Sequence, residues 1–132
     1  RLGVIEMSLT NAFETSTLTY LFTAGSVTRP TAWYLGLFTS DPGESGAGTE
    51  VSGGGYVREA VAFTVSGNTA TNSGAIEWSA ATSSWGTVTY IAIMDAITGG
   101  NMIASNALTT SKAIGTDDII RVPAGDLDIT LD

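Results

Sequence analysis

The stretch "TEVSGGGYVREAVAF", residues 49–63, sets three glycines, Gly53, Gly54 and Gly55, directly ahead of a regularly alternating segment. From there Val57, Glu59, Val61, Phe63 and Val65 share one parity, and Arg58, Ala60, Ala62 and Thr64 share the other. Side chains alternate faces along a strand, so residues 56–65 read as a β-strand turning Val57, Val61, Phe63 and Val65 toward a core. Glycine loses extra backbone entropy on ordering and is a poor strand former. The run is therefore a phosphate cradle, a hinge, or a loop that orders only against another surface.

The run closes a longer segment, "SDPGESGAGTEVSGGG" (40–55), with six glycines and one proline. A connection of that length inside a compact domain marks a functional or mobile loop. Before it, "TAWYLGLFT" (31–39) alternates Trp33, Leu35 and Leu37 against Tyr34 and Phe38, which predicts a strand covered on both faces. After it, "SGN" signals a turn, followed by short segments "TATNSG" and "AIEWSA". "TVTYIAIMD" (87–95) and "NMIASNALT" then form a hairpin, because Gly99 and Gly100 can take the positive φ of its turn. The ending "DDIIRVPAGDLDITLD" predicts two short strands around "PAG". In the second, Leu127, Ile129 and Leu131 form an apolar face opposite Asp126, Asp128 and Asp132. One helix is expected, over about 8–23, with Ser8 or Thr10 as N-cap and Ala24-Gly25 at its end. Phe13, Leu18, Leu21 and Phe22 give it a loose apolar stripe, while Thr15, Thr17 and Thr19 weaken it.

Many short strands separated by turns define an all-β fold: an antiparallel β-sandwich or flattened barrel, jelly-roll-like, with one N-terminal helix covering an open end or edge. Residues 1–132 read as a single domain, with an N-terminal arm and helix over about 1–25. Residues 1–6 read as added upstream sequence, with Met7 as the natural start. "RLGVIEMSLT" does not read as a secretory signal.

Composition narrows the function. Ser and Thr make up 33 of 132 residues and charged residues only 14%, which suits uncharged, hydroxyl-rich sheet faces. The net charge of −8 argues against nucleic acid and against an anionic membrane surface, both of which are bound through clustered Lys and Arg. With no Cys and no His, thiolate chemistry, most zinc sites and Ser-His catalysis are excluded. No apolar run approaches the ~20 residues of a membrane span.

The glycine run does not match a phosphate loop, since it leads into a strand and carries no lysine. Asp41, Glu44 and Glu50 could offer oxygen ligands to Ca²⁺, but their spacing fits no calcium loop, so solvated carboxylates are expected. Asp117-Asp118 reads as a turn. Glu59 and Glu77 are the nominal glycosidase pair, but each is expected to be an ordinary strand glutamate, facing solvent or paired with Arg58 or Arg121. Trp33 and Trp78 read as core, and Trp85 as the surface aromatic on which a sugar could stack. Catalytic, cofactor and metal residues are therefore expected to be none. The partner-binding candidates are Asp41, Glu44, Glu50, Val51, Gly53, Gly54, Gly55, Tyr56 and Trp85.

"WYLGLFTSDPGESGAGTEVSGGGYVREAVAF", "WGTVTYIAIMDAITGGN" and "VPAGDLDITL" together resemble a family of small structural proteins of tailed bacteriophages, loosely labelled tail-fibre or virion structural proteins. The resemblance spans roughly residues 10–132 and carries no catalytic motif. It implies a virion protein assembled in the host bacterial cytoplasm, with partners among the major capsid protein, tail proteins and copies of itself. The expected role is capsid decoration: 132 residues are too few for an extended fibre shaft, and shaft repeats are absent. The alternatives are a tail-fibre or minor tail protein that meets a host surface glycan, and a carbohydrate-binding module. On the decoration reading, the glycines free loop 40–55 to settle onto a neighbour.

Overall fold

A computed structural model of the chain describes residues 3–131. Ten strands and one helix follow one another: β1 (Ile5–Leu9), α1 (Asn11–Phe22), β2 (Tyr34–Phe38), β3 (Glu59–Ala60), β4 (Phe63–Ser66), β5 (Thr69–Asn72), β6 (Ile76–Glu77), β7 (Gly86–Met94), β8 (Met102–Ile114), β9 (Arg121–Val122) and β10 (Leu127–Thr130). Eight of them form one sheet in the order β3-β2-β7-β8-β1-β10-β5-β4, and β6 pairs β9 apart from it. The expected all-β architecture holds. Its pairing is antiparallel except between β1 and β10, which run parallel.

The alternating segment of residues 56–65 decides how the sheet closes. It forms two strands rather than one, and they lie on opposite edges of the eight-stranded sheet. The switch occurs within two residues. The Val61 N–H donates to the Trp33 carbonyl on the β2 side, while the Ala62 carbonyl accepts from Ser73 on the β5 side. Edges joined by so short a link must come together, so the sheet curls into a flattened half-barrel with its seam stitched at Val61-Ala62. Curling also removes unpaired edge groups, which otherwise template aggregation.

The inward faces carry the core. Leu35, Leu37, Val88, Ile91, Ala104, Val122 and Leu127 are fully buried within one cluster, and Ile76, Trp78 and Ile120 bring the small β6–β9 sheet into it. Trp33 is only partly buried against this cluster. The opposite face of β2 and β7, to which the register shift between Ile93 and Met94 also brings Met102 of β8, builds a second, smaller core from Phe38, Ala92, Met94 and Met102. The expectation that residues 31–39 are covered on both faces is therefore met. Asn72, buried beneath the β9–β10 turn, donates to the Gly74 and Pro123 carbonyls and accepts from the Leu127 N–H. Every side-chain hydrogen-bonding group of this buried amide is thus engaged, as the interior requires.

Ile5 and Glu6, within the stretch read as upstream sequence, form part of an internal strand whose Ile5 and Met7 are core residues; Arg1 and Leu2 of that stretch lie outside the described residues. Other expectations are corrected. The apolar/acidic split of β10 is incomplete, because Asp126 is buried and Leu131 is exposed; Asp132 lies outside the described residues. The helix starts at Thr10 as expected, its hydroxyl accepting from the Phe13 N–H. It nevertheless covers no open end, since none of its residues is buried. The Asp117-Asp118 turn and the hairpin turn with positive φ at Gly99 and Gly100 are present.

Candidate functional site

The three glycines do not supply mobility. Each has a positive φ, at 73°, 59° and 78°, so the run is a left-handed turn that L-residues resist. Gly54 also needs its missing side chain. A Cβ there would lie 2.8 Å from the Ser83 hydroxyl and 2.9 Å from Trp85 Cδ1. That closeness lets Trp85 Nε1 and the Thr82 N–H both donate to the Gly54 carbonyl, at 2.8 and 2.9 Å. Trp85 is consequently 5% exposed, which corrects its reading as a surface aromatic. Tyr56 meets it edge-on, with centroids 5.4 Å apart and ring planes at 81°.

Beyond the turn, Tyr56 and Arg58 converge on Glu50. The Leu37 N–H donates to the Tyr56 hydroxyl at 2.9 Å, and that hydroxyl donates to Glu50 Oε2 at 2.7 Å. Arg58 takes the same carboxylate in a fork, Nε to Oε2 and Nη2 to Oε1, both at 2.8 Å. Its remaining Nη1 donates to the Ala96 and Gly99 carbonyls in the β7–β8 turn. Gly36 makes room for the cluster, since a Cβ there would come 3.0 Å from Glu50 Oε2. Burial, followed by the bond to Glu50, pushes the Tyr56 phenol far above its usual range. The bond to Glu50 is the main cause holding Arg58 above its usual value, against the opposing effect of burial. Arg58 was read from the sequence only as a possible neighbour of Glu59; its position in a solvent-parity slot gave no sign of this role.

The rest of loop 40–55 is likewise engaged by its own chain. Pro42 is fully buried, and Gly46 approaches Met102 of the second core. Gly48 sits so close to Asp41 that a Cβ would fall 2.5 Å from the Asp41 carbonyl oxygen. Asp41 accepts from the Gly43 N–H, and its charge is the main cause raising the Tyr90 phenol. Glu44 accepts from the Asn11 N–H at 2.6 Å, where a carboxylate suits the positive end of a helix. Val51 is a core residue whose N–H bonds the Leu37 carbonyl. The mobile loop expected here is thus a folded cover over the second core.

The candidates therefore divide. The structure brings Glu50, Val51, Gly53, Gly54, Gly55, Tyr56 and Trp85 together around one turn, beside a cleft of about 290 Å³ bounded also by Arg58 and Ile97. Asp41 and Glu44 lie apart from it, on the second core and the helix start. Among the described residues no group of acidic side chains could hold a metal ion. Glu77 pairs loosely with Arg121 at 3.7 Å, and desolvation raises the Glu59 carboxyl. Among the described residues no helix is long and apolar enough to cross a membrane.

The curled β-domain thus uses Glu50, Tyr56 and Arg58 to hold its own loops. Residues 8–130 match the family model described as podophage GP4 fiber I protein gp80, and the chain belongs to that family. The chain is thereby a tailed-phage virion component of the fibre type. Among curated proteins the comparison finds no match.

Proposed function

We propose that the chain is a structural subunit of the tail-fibre apparatus, acting through assembly and host attachment with no chemistry of its own. The observation that carries this reading is the family match, which covers nearly the whole described fold and supports the tail-fibre reading over capsid decoration. The geometry agrees with a binding role. Glu50, the carboxylate that lines the cleft, has both oxygens engaged by Arg58 and Tyr56. Partners are other tail proteins and further copies of the chain. A net charge of −8 disfavours nucleic acid. Trp85 offers no stacking face to a host glycan, so receptor contact would use another surface.

Phage lacking the protein test this reading through two separate measurements, adsorption to host cells and release of DNA on heating. Adsorption should fall while heat stability matches the parent phage. Early DNA release with normal adsorption would instead assign the protein to the capsid exterior.

A further inference from the structure

Helix α1 is fixed at its base and buries none of its residues. Thr10 anchors it, with its N–H bonded to the Ile103 carbonyl and its hydroxyl to the Met102 carbonyl. Beyond that point Leu18, Leu21 and Phe22 stand in solvent, Phe22 at 78% exposure. A helix of 12 residues with threonine at 15, 17 and 19 is marginal in water by itself. Such a helix normally draws its stability from packing an apolar face, and this one buries no residue against its own chain. Its cover has to come from outside.

The same chain leaves a complementary surface open. Where the seam splays beyond Val61-Ala62, the last inward-facing layer of the sheet is only partly covered: Met7, Ile93 and Ala104 are buried, Leu9, Phe63 and Ile129 are half-buried, and Val65 is exposed. The pairings Ile93↔Ala104↔Leu9 and Met7↔Ile129↔Ala70↔Val65 run through this layer. Leu9, Trp33, Phe63, Val65, Ile93 and Ile129 line a cavity of about 350 Å³ there, with Arg29 at its rim. Val65 faced the core by sequence parity, yet it is 75% exposed because nothing fills this mouth.

Charge selects the occupant. Residues 10–30 carry only Glu14 and Arg29, a net of zero on a chain of −8. Copies of so acidic a chain repel one another except where they meet through this neutral arm. Neither Glu14 nor Arg29 has an ion-pair partner among the described residues, and their signs are opposite. We infer that α1 of one copy seats Leu18, Leu21 and Phe22 in the barrel mouth of a second copy. The contact is head-to-tail, so it closes a ring or extends a filament according to its rotation. It concerns the chain alone and holds wherever the assembly sits in the virion.

The absence of cysteine makes the test direct. Phe22→Cys and Val65→Cys alter exposed positions and should leave the fold intact. An equimolar mixture of the two single variants under mild oxidation should form the mixed disulfide several-fold faster than either variant forms its own dimer. Phe22→Asp should weaken self-association of the full chain by about tenfold or more in sedimentation, with an unchanged melting temperature. Preferential dimers of Phe22→Cys alone would mean that helices pair with each other, and would overturn the inference. So would an intrachain disulfide in the double variant, which would put the helix in its own mouth. A parent chain that stays monomeric at high concentration would assign the mouth to a different molecule, and equally overturn it.

Discussion

Arg58 grips Glu50 through two parallel bonds of 2.8 Å while its third nitrogen holds the β7–β8 turn. One guanidinium therefore ties three distant parts of the chain together: the end of loop 40–55, the start of β3 and the hairpin tip. Planar fork geometry is what allows this, and lysine could not reproduce it.

Arg58→Ala should destabilise the domain strongly, because it leaves the Glu50 carboxylate largely buried and without its cation. The expected loss is about 2–4 kcal/mol, below that of a fully buried pair because Glu50 keeps 23% exposure. Urea unfolding of the two proteins measures it. A change under about 0.5 kcal/mol would mean that the fork adds nothing to the fold.

The glycine turn predicts a ranking. Gly53→Ala meets no neighbouring atom and should cost only the left-handed backbone penalty, about 1–2 kcal/mol. Gly54→Ala adds a clash with the Ser83 backbone and the Trp85 ring, and should cost distinctly more. Thermal unfolding of both variants gives the order. Two neutral substitutions would restore the picture of a free loop.

Tyr56 supplies a pH signature. Its phenol stays protonated in the folded chain at pH values where the unfolded chain ionises it, near 10. The folded state then binds one more proton than the unfolded state, so stability contributed by Tyr56 falls as pH rises. Above pH 10 the slope is about 1.4 kcal/mol per unit. Tyr56→Phe should cost about 1–3 kcal/mol at neutral pH, because the Leu37 N–H loses its acceptor. The gap between parent and variant should then narrow from pH 10 upward. Tyr90 titrates in both proteins and cancels. A gap independent of pH would contradict the assigned network.

Much of the fold was legible in local sequence, and the failures have physical causes. Alternation marked β2 and β7, the paired glycines marked the hairpin turn onto β8, and Thr10 marked the helix start. The partner switch at Val61-Ala62 left no local trace, because pairing to opposite edges is a long-range property. β1 shows the same alternation, with Ile5, Met7 and Leu9 facing inward, but five residues beside a helix cap are a weak signal. Gly53–Gly55 misled for a different reason. A glycine run required for positive φ and close approach reads the same in sequence as one that is flexible. Composition alone suggests mobility for this stretch, and the structure shows most of the candidate residues meeting at one rigid turn.

A cryo-EM reconstruction of the intact virion tests the fibre assignment most directly. The fibre reading predicts that the curled eight-stranded sheet fits density on the tail, in several copies. Density for the same sheet arrayed over the capsid shell, and absent from the tail, would contradict it.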